Sequence, residues 1–259
     1  MTDKKLLNRL ASLSPEQREA LLKQLQKKKS QGAEPRKDGI QVYPRDHQHL
    51  PMSYAQQRLW FIDQLQSGSA SYNISAALRL KGSLDVEALR MSFDEIVRRH
   101  EVLRTTFITE DGQGRQVINE HQRWELATIS LEPLSREEQE EVIRARFKGD
   151  AHTSFDLING PLLRTRLIRL SSTEHVMIVT MHHVIADGWS MGVFIREMAL
   201  LYDAFTQDKQ SPLQDLKIQY ADYSLWQREW LSGERLERQL SYWKTRLDGV
   251  DRKSTRLHS

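Results

Sequence analysis

The sequence has no cysteine in its 259 residues, which excludes disulfides, thiol catalysis and zinc sites built on thiolate. It also has no apolar run of about 18 residues, and the mean hydropathy is −0.62, so a membrane span is excluded. The opening MTDKKLLNRL lacks the apolar core of a signal peptide, which predicts a cytoplasmic location. There is no Gly-rich phosphate loop after the first expected strand and no serine in a nucleophile-elbow pattern. Nucleotide-dependent and serine-hydrolase readings fall away on that ground. No internal repeat is visible.

What is present reads as an ordinary globular chain, 39% apolar and 28% charged, long enough for one large domain or two small ones. The net charge of +3 is unevenly spread. Residues 1–50 hold 11 Lys/Arg against 6 Asp/Glu, and the body from 51 to 250 is mildly acidic at −4. A basic nucleic-acid face is therefore not expected.

Residues 1–30 read as a helical arm. Ser14-Pro15-Glu16-Gln17 supplies an N-cap, a first-turn proline and the glutamine of a capping box, and Leu21, Leu22 and Leu25 continue the helix to the run Lys27–Lys29. The arm is either a solvated helix or a docking segment for another protein. Residues 31–50, with SQGAEPRKDG, read as a flexible linker.

From Met52 the pattern becomes globular. Ser53 and Gln56 form a capping box before a helix whose stripe is Ala55, Arg58, Leu59, Ile62 and Leu65, which sets an arginine on an apolar face. Residues 74–80 alternate as a strand, and a helix over 84–99 turns Val86, Leu89, Phe93, Ile96 and Val97 inward. Strands over 103–109 and 115–119 flank the hairpin signal Asp111-Gly112. Ser135 and Glu138 cap the next helix. Residues 162–170 alternate, and 175–181 is a nearly unbroken apolar run, as a central strand covered on both faces requires. Helices follow over 190–205, around Tyr223, Trp226 and Trp230, and over 236–247. The fold class is α/β: a mixed sheet with flanking helices, preceded by the helical arm.

His182-His183-x-x-x-Asp187-Gly188 falls where the buried strand ends and a helix begins. Histidine is the side chain suited to proton transfer near neutral pH. Gly188 permits a sharp turn and bares an N–H near the helix start, a suitable oxyanion donor. Asp187 needs a partner if buried, and Arg58 is the candidate. Taken alone, the pair also reads as one packed and one solvent-exposed histidine. The spacing is not a helical zinc pattern, so no metal is expected.

MHHVIADGWS (181–190) resembles the third core motif of condensation domains from non-ribosomal peptide synthetases. MSYAQQRLWFIDQL (52–65) resembles their first motif, RRHEVLRTTF (98–107) the second and QYADYSLWQ (219–227) the fourth. Phe155-Asp156-Leu157 with Gly160-Pro161-Leu162-Leu163-Arg164 resembles the family's segment before the central strands. The resemblance implies a lobe of the chloramphenicol-acetyltransferase fold and an acyltransferase reaction of secondary-metabolite, including antibiotic, biosynthesis. In it a carrier-bound acyl or peptidyl thioester is attacked by the α-amine of a carrier-bound aminoacyl thioester. The partners implied are upstream and downstream peptidyl carrier domains with their 4'-phosphopantetheine arms; the chain itself binds no cofactor. By resemblance His183 faces the reacting groups as base or positioner, His182 is structural, Asp187 shapes the loop and Gly188 helps to hold the oxyanion. Arg58, Arg104 and Trp226 are shaping or channel residues. SYAQQRLWF and HHVIADGWSMGV resemble the subtype joining an L-configured donor to an L-configured acceptor; the first histidine excludes a heterocyclisation domain.

The later motifs of the family are absent, so residues 51–250 are expected to be the N-terminal lobe, with the second lobe and an adenylation domain lying outside this chain. A fragment of this kind is expected to be inactive alone. The alternative is a non-catalytic half domain that docks carrier proteins. The tail DRKSTRLHS (251–259) closely resembles the translation of a sequencing-adaptor read-through, DRKSTRLNS, and is expected to be an artefact of a truncated gene or an exposed tail.

Overall fold

The computed structural model describes residues 39–45, 49–66 and 68–249. The expected arm over 1–30 and the tail over 251–259 lie outside the described residues.

Two sheets organise the part from Ile40 onward. The larger has the order β2 (Asn73–Lys81), β7 (Glu174–His182), β6 (Leu163–Ser171), β5 (Ala127–Ser130). Its first three strands are antiparallel neighbours, and the short β5 runs parallel to β6. The smaller sheet is antiparallel, in the order β1 (Leu50–Pro51), β4 (Gln113–Ile118), β3 (Thr105–Glu110). The β3–β4 hairpin turns at Asp111 and Gly112, with φ of 50° and 72°, the left-handed pair that a two-residue turn requires.

The helices are α1 (Tyr54–Leu65), α2 (Val86–Arg99), α3 (Arg136–His152), α4 (Gly188–Phe205), α5 (Tyr220–Trp230) and α6 (Gly233–Leu247), with a 3-10 turn over Glu101–Arg104. The capping boxes expected at Ser53 and Ser135 form, and the one expected at Ser14 lies outside the described residues. Ser53 Oγ accepts from Gln56 N–H at 3.2 Å while Gln56 Oε1 accepts from Ser53 N–H at 2.9 Å, and Ser135 and Glu138 repeat the arrangement. Asp85 caps α2 through Ala88 N–H at 2.9 Å.

Strand β7 explains its own apolar run. One face contributes Met177, Val179 and Met181 to a core shared with Phe93 and Ile96 of α2, Leu201 of α4 and Leu163 and Leu167 of β6. The other contributes Val176 and Ile178 to a second cluster under α3, with Ile143, Ile168 and Leu170. A strand covered on both faces loses the polar alternation of a half-exposed one.

Two expectations change here. Val86, read as inward, lies at the first turn of α2 and is exposed. The stretch read as a flexible linker over 31–50 is tied down at its end. Asp222 Oδ1 accepts from Tyr43 N–H at 2.9 Å and from Arg45 Nη1 at 2.7 Å, Arg45 also reaches Glu101 at 3.0 Å, and Leu50 is buried in β1. Asp222 itself is buried, so its charge depends on these donors.

Candidate functional site

The two histidines at the end of β7 face opposite environments. His182 pairs with Asn73 of β2 and is only 2% exposed. Its ring stands edge-on to Phe155 at 6.1 Å and tilted to Tyr72 at 6.4 Å. Its Nδ1 accepts from Val184 N–H at 3.1 Å. Burial, and secondarily the neighbouring His183, push its pKa down to about 4. His182 is thus neutral at physiological pH, with its proton on Nε2 and its other nitrogen fastening the loop.

His183 is exposed. Its N–H donates to Tyr72 O at 2.8 Å, which extends the β2–β7 ladder by one residue, and the alternation of a strand turns its side chain away from that of His182. That side chain lines a cavity of about 880 Å³ bounded by α1, α2, the start of α4 and α5. His182 does not line it. Behind the histidines, Val184, Ile185 and Ala186 are buried, so the loop is plugged into the core.

Asp187 is the N-cap of α4. Its Oδ1 accepts from Ser190 N–H at 2.8 Å and Ser190 Oγ–H at 2.6 Å, and the Ser190 hydroxyl is the main reason its carboxyl sits below the usual carboxylate range. The expected ion pair with Arg58 is not formed. Arg58 is exposed, lining the same cavity with its charge open to solvent, and the carboxylate of Asp187 is already satisfied by the cap. The apolar stripe of α1 places Arg58 toward a cavity wall, not a core. Gly188 is the first residue of α4, but its φ is not in the left-handed region and a Cβ there would meet nothing within 4 Å. The expected sharp turn therefore does not demand a glycine; what the position retains is an N–H at a helix start.

The remaining expected residues do not join the cavity. The Arg104 guanidinium donates to Asn119 O, and Asn119 N–H returns a bond to Arg104 O at 3.0 Å; this pair lines a separate cavity of about 920 Å³. Trp226 is half-buried between Trp230, stacked at 5.5 Å, and Tyr223 at 6.0 Å, so it backs a wall residue without lining the cavity. Residues given no site role in the sequence complete the wall: Tyr72, Trp189, Gln219, Tyr220 and His100, the last expected only to lie close to the inward face of its helix. Tyr220 OH is 3.0 Å from Ser53 Oγ, and burial raises its pKa. Among the described residues no cluster of His, Asp or Glu is suited to a metal ion, and no helix is long and apolar enough to cross a membrane.

A family profile described as "Condensation domain" matches residues 46–257. A linear gramicidin synthase of Brevibacillus parabrevis is 48% identical over 212 residues, 82% of this chain and 3% of that protein. Phosphinothricin tripeptide synthetase PhsC of Streptomyces viridochromogenes is 38% identical over 245 residues, 95% of this chain and 22% of that protein. Among solved structures, the X-domain in its complex with OxyB from teicoplanin biosynthesis aligns with a TM-score of 0.74 at 32% identity, covering 85% of this chain and 47% of that one. The starter condensation domain of rhizomide synthetase RzmA aligns at 0.71 and 18% identity, covering 80% and 49%. The chain thus spans about half the length of the solved domains it matches and a small part of the curated relatives. Its layers are those of the chloramphenicol-acetyltransferase-like fold.

Proposed function

The chain belongs to the condensation-domain family of non-ribosomal peptide synthetases, and from that premise we propose that it supplies the histidine-bearing lobe of a peptide-bond-forming site. The observation that carries the reading is the division of labour at residues 182–183. One histidine is buried, neutral and spent on holding the loop; the next is presented to a cavity large enough for a thioester and its aminoacyl group.

In this reading the α-amine of a carrier-bound aminoacyl thioester attacks the carbonyl carbon of a carrier-bound donor thioester beside His183. The C–N bond forms, the C–S bond breaks, and the proton lost by the amine reaches the departing thiolate. His183 orients the amine, takes up that proton and passes it to the thiolate. The Gly188 N–H is the donor aimed at the developing oxyanion, because the Asp187 cap engages Ser190 and Trp189 and leaves it unengaged. Arg58 lines the path to this point. The upstream and downstream carrier domains bring the thioesters on phosphopantetheine arms, which are substrates of the lobe and not resident groups. The motif spelling supports joining an L-configured donor to an L-configured acceptor.

The test is peptide transfer between two loaded carriers by the domain completed with its second lobe. His183→Ala should lower the rate by about 10²–10⁴-fold, while His182→Asn should act mainly through stability. Equal losses from both, or none from His183→Ala, would overturn the assignment. The 259-residue chain by itself should form no dipeptide, because positioning needs groups on both sides of the reacting atoms.

A further inference from the structure

The cavity that presents His183 holds a second histidine, His100, which the reaction above does not use. His100 Nε2 lies 2.7 Å from Glu197 Oε2, and Arg99 Nε lies 3.3 Å from the same oxygen. The Glu197 and Arg99 side chains are 10% and 7% exposed. Glu197 is nine residues beyond Gly188 on α4, so at about 1.5 Å per residue the group sits about 13 Å along the helix from the His183 end. Gln219 secures the backbone here, donating from Nε2 to Arg99 O at 2.9 Å and accepting from Glu101 N–H at 3.1 Å.

The chemistry of this trio is constrained. In the neutral tautomer whose Nε2 donates to the Glu197 carboxylate, Nδ1 is the acceptor that His100 has left. The same cavity is lined by the apolar side chains of Ile40, Ile96, Val102, Leu216 and Ile218, and the amide of Gln219, also on its wall, is committed to Arg99 O and Glu101 N–H. An apolar pocket with one oriented polar group is the arrangement that selects a ligand by its tip.

We propose that the His100 end of the cavity is a side-chain pocket for one of the two carrier-bound residues, selecting an apolar side chain with a hydrogen-bond donor at its tip, such as a phenol or indole. His100 is the binding residue, and Glu197 and Arg99 are positioning residues that set its tautomer. The inference rests on the reading of the His183 cavity as the place of the thioesters.

The experiment measures binding of tyrosyl- and phenylalanyl-aminopantetheine amides to the 259-residue chain by calorimetry, each with a free and an N-acetylated amine. The Tyr amide should bind about five- to tenfold more tightly than the Phe amide, the worth of one net hydrogen bond. Selectivity within the N-acetylated pair assigns the pocket to the donor residue, and within the free-amine pair to the acceptor. His100→Leu should erase the ratio; His100→Phe, which keeps a planar ring but offers no acceptor, does the same, each in a chain whose melting temperature shows that it is folded. In Glu197→Gln, the ¹⁵N shifts of His100 should report a changed tautomer balance along with a weakened ratio. Equal binding of Tyr and Phe amides, or a ratio that survives in both His100 variants, overturns the pocket and leaves the His183 reading standing. Binding of none of the amides overturns both.

Discussion

Strand β7 hides eight of its nine residues, whereas helix α6 hides none of its 15. Yet α6 is strongly amphipathic, with Leu236, Leu240, Trp243 and Leu247 at helical spacing; Trp243 is 55% exposed and Leu247 59%. The two regions separate two causes of regular structure. β7 is ordered by what covers it on both faces. α6 keeps its form through its own backbone ladder and local pairs, the Tyr242–Trp243 ring contact at 5.3 Å and Arg235 over Trp230 at 4.4 Å. Periodicity marks a face meant for burial, and the described residues of this chain bury only the first of the two.

The largest expected effect lies on the finished side. Ile178→Ala, at 1% exposure between β2, β6 and α3, should cost about 2–5 kcal/mol in urea-unfolding experiments. A cost below about 1 kcal/mol there would show that the interior around β7 is looser than its burial suggests.

The second concerns pH. His182 has a folded pKa of about 4 against 6.5 unfolded. Between those values the unfolded chain takes up a proton that the folded chain does not. Stability is therefore full above pH 6.5 and falls by about 1.4 kcal/mol per pH unit on descending toward 4. Burial lowers the pKa of His175 as well, so it adds in the same direction. His182→Asn should flatten the slope measured by thermal melts across this window, and an unchanged slope would remove His182 as its source.

The smallest effect belongs to α6. Trp243→Ala in the 259-residue chain should change stability by no more than about 0.5 kcal/mol while reducing binding of a hydrophobic dye. A loss as large as that of Ile178→Ala would mean that the helix face is covered after all, and the contrast between the two regions would collapse.

The parts of the fold that announce themselves in sequence are those with one local cause. Ser53 with Gln56, Ser135 with Glu138 and Asp111-Gly112 each act within four residues, and the β7 run reflects burial alone. β5 escapes a reading of the sequence because four mostly exposed residues at a sheet edge carry no alternation. β1 starts at the last residue of a segment whose composition reads as linker; its order comes from pairing with β4, Leu50 opposite Gln116 and Pro51 opposite Arg115. At the site, the two histidines and Asp187 stand out as a cluster, but the expected Arg58–Asp187 pair does not form because periodicity cannot distinguish a cavity wall from a core. Nothing in the sequence marks His100 and Glu197 as partners, since their meeting depends on how α2 lies against α4, which no local pattern encodes.

The stitching of Tyr43 and Arg45 to Asp222 has a mechanical meaning. Asp222 sits in the first turn of α5, next to Tyr220 and Tyr223 of the cavity wall, and Ile40 is itself part of that wall. A pull on Tyr43 or Arg45 is therefore borne first by the turn that carries these wall residues, with the Asp222 carboxylate as the anchor bolt. Loosening that bolt, as Asp222→Asn would, should slacken the cavity and leave the β7 interior unmoved.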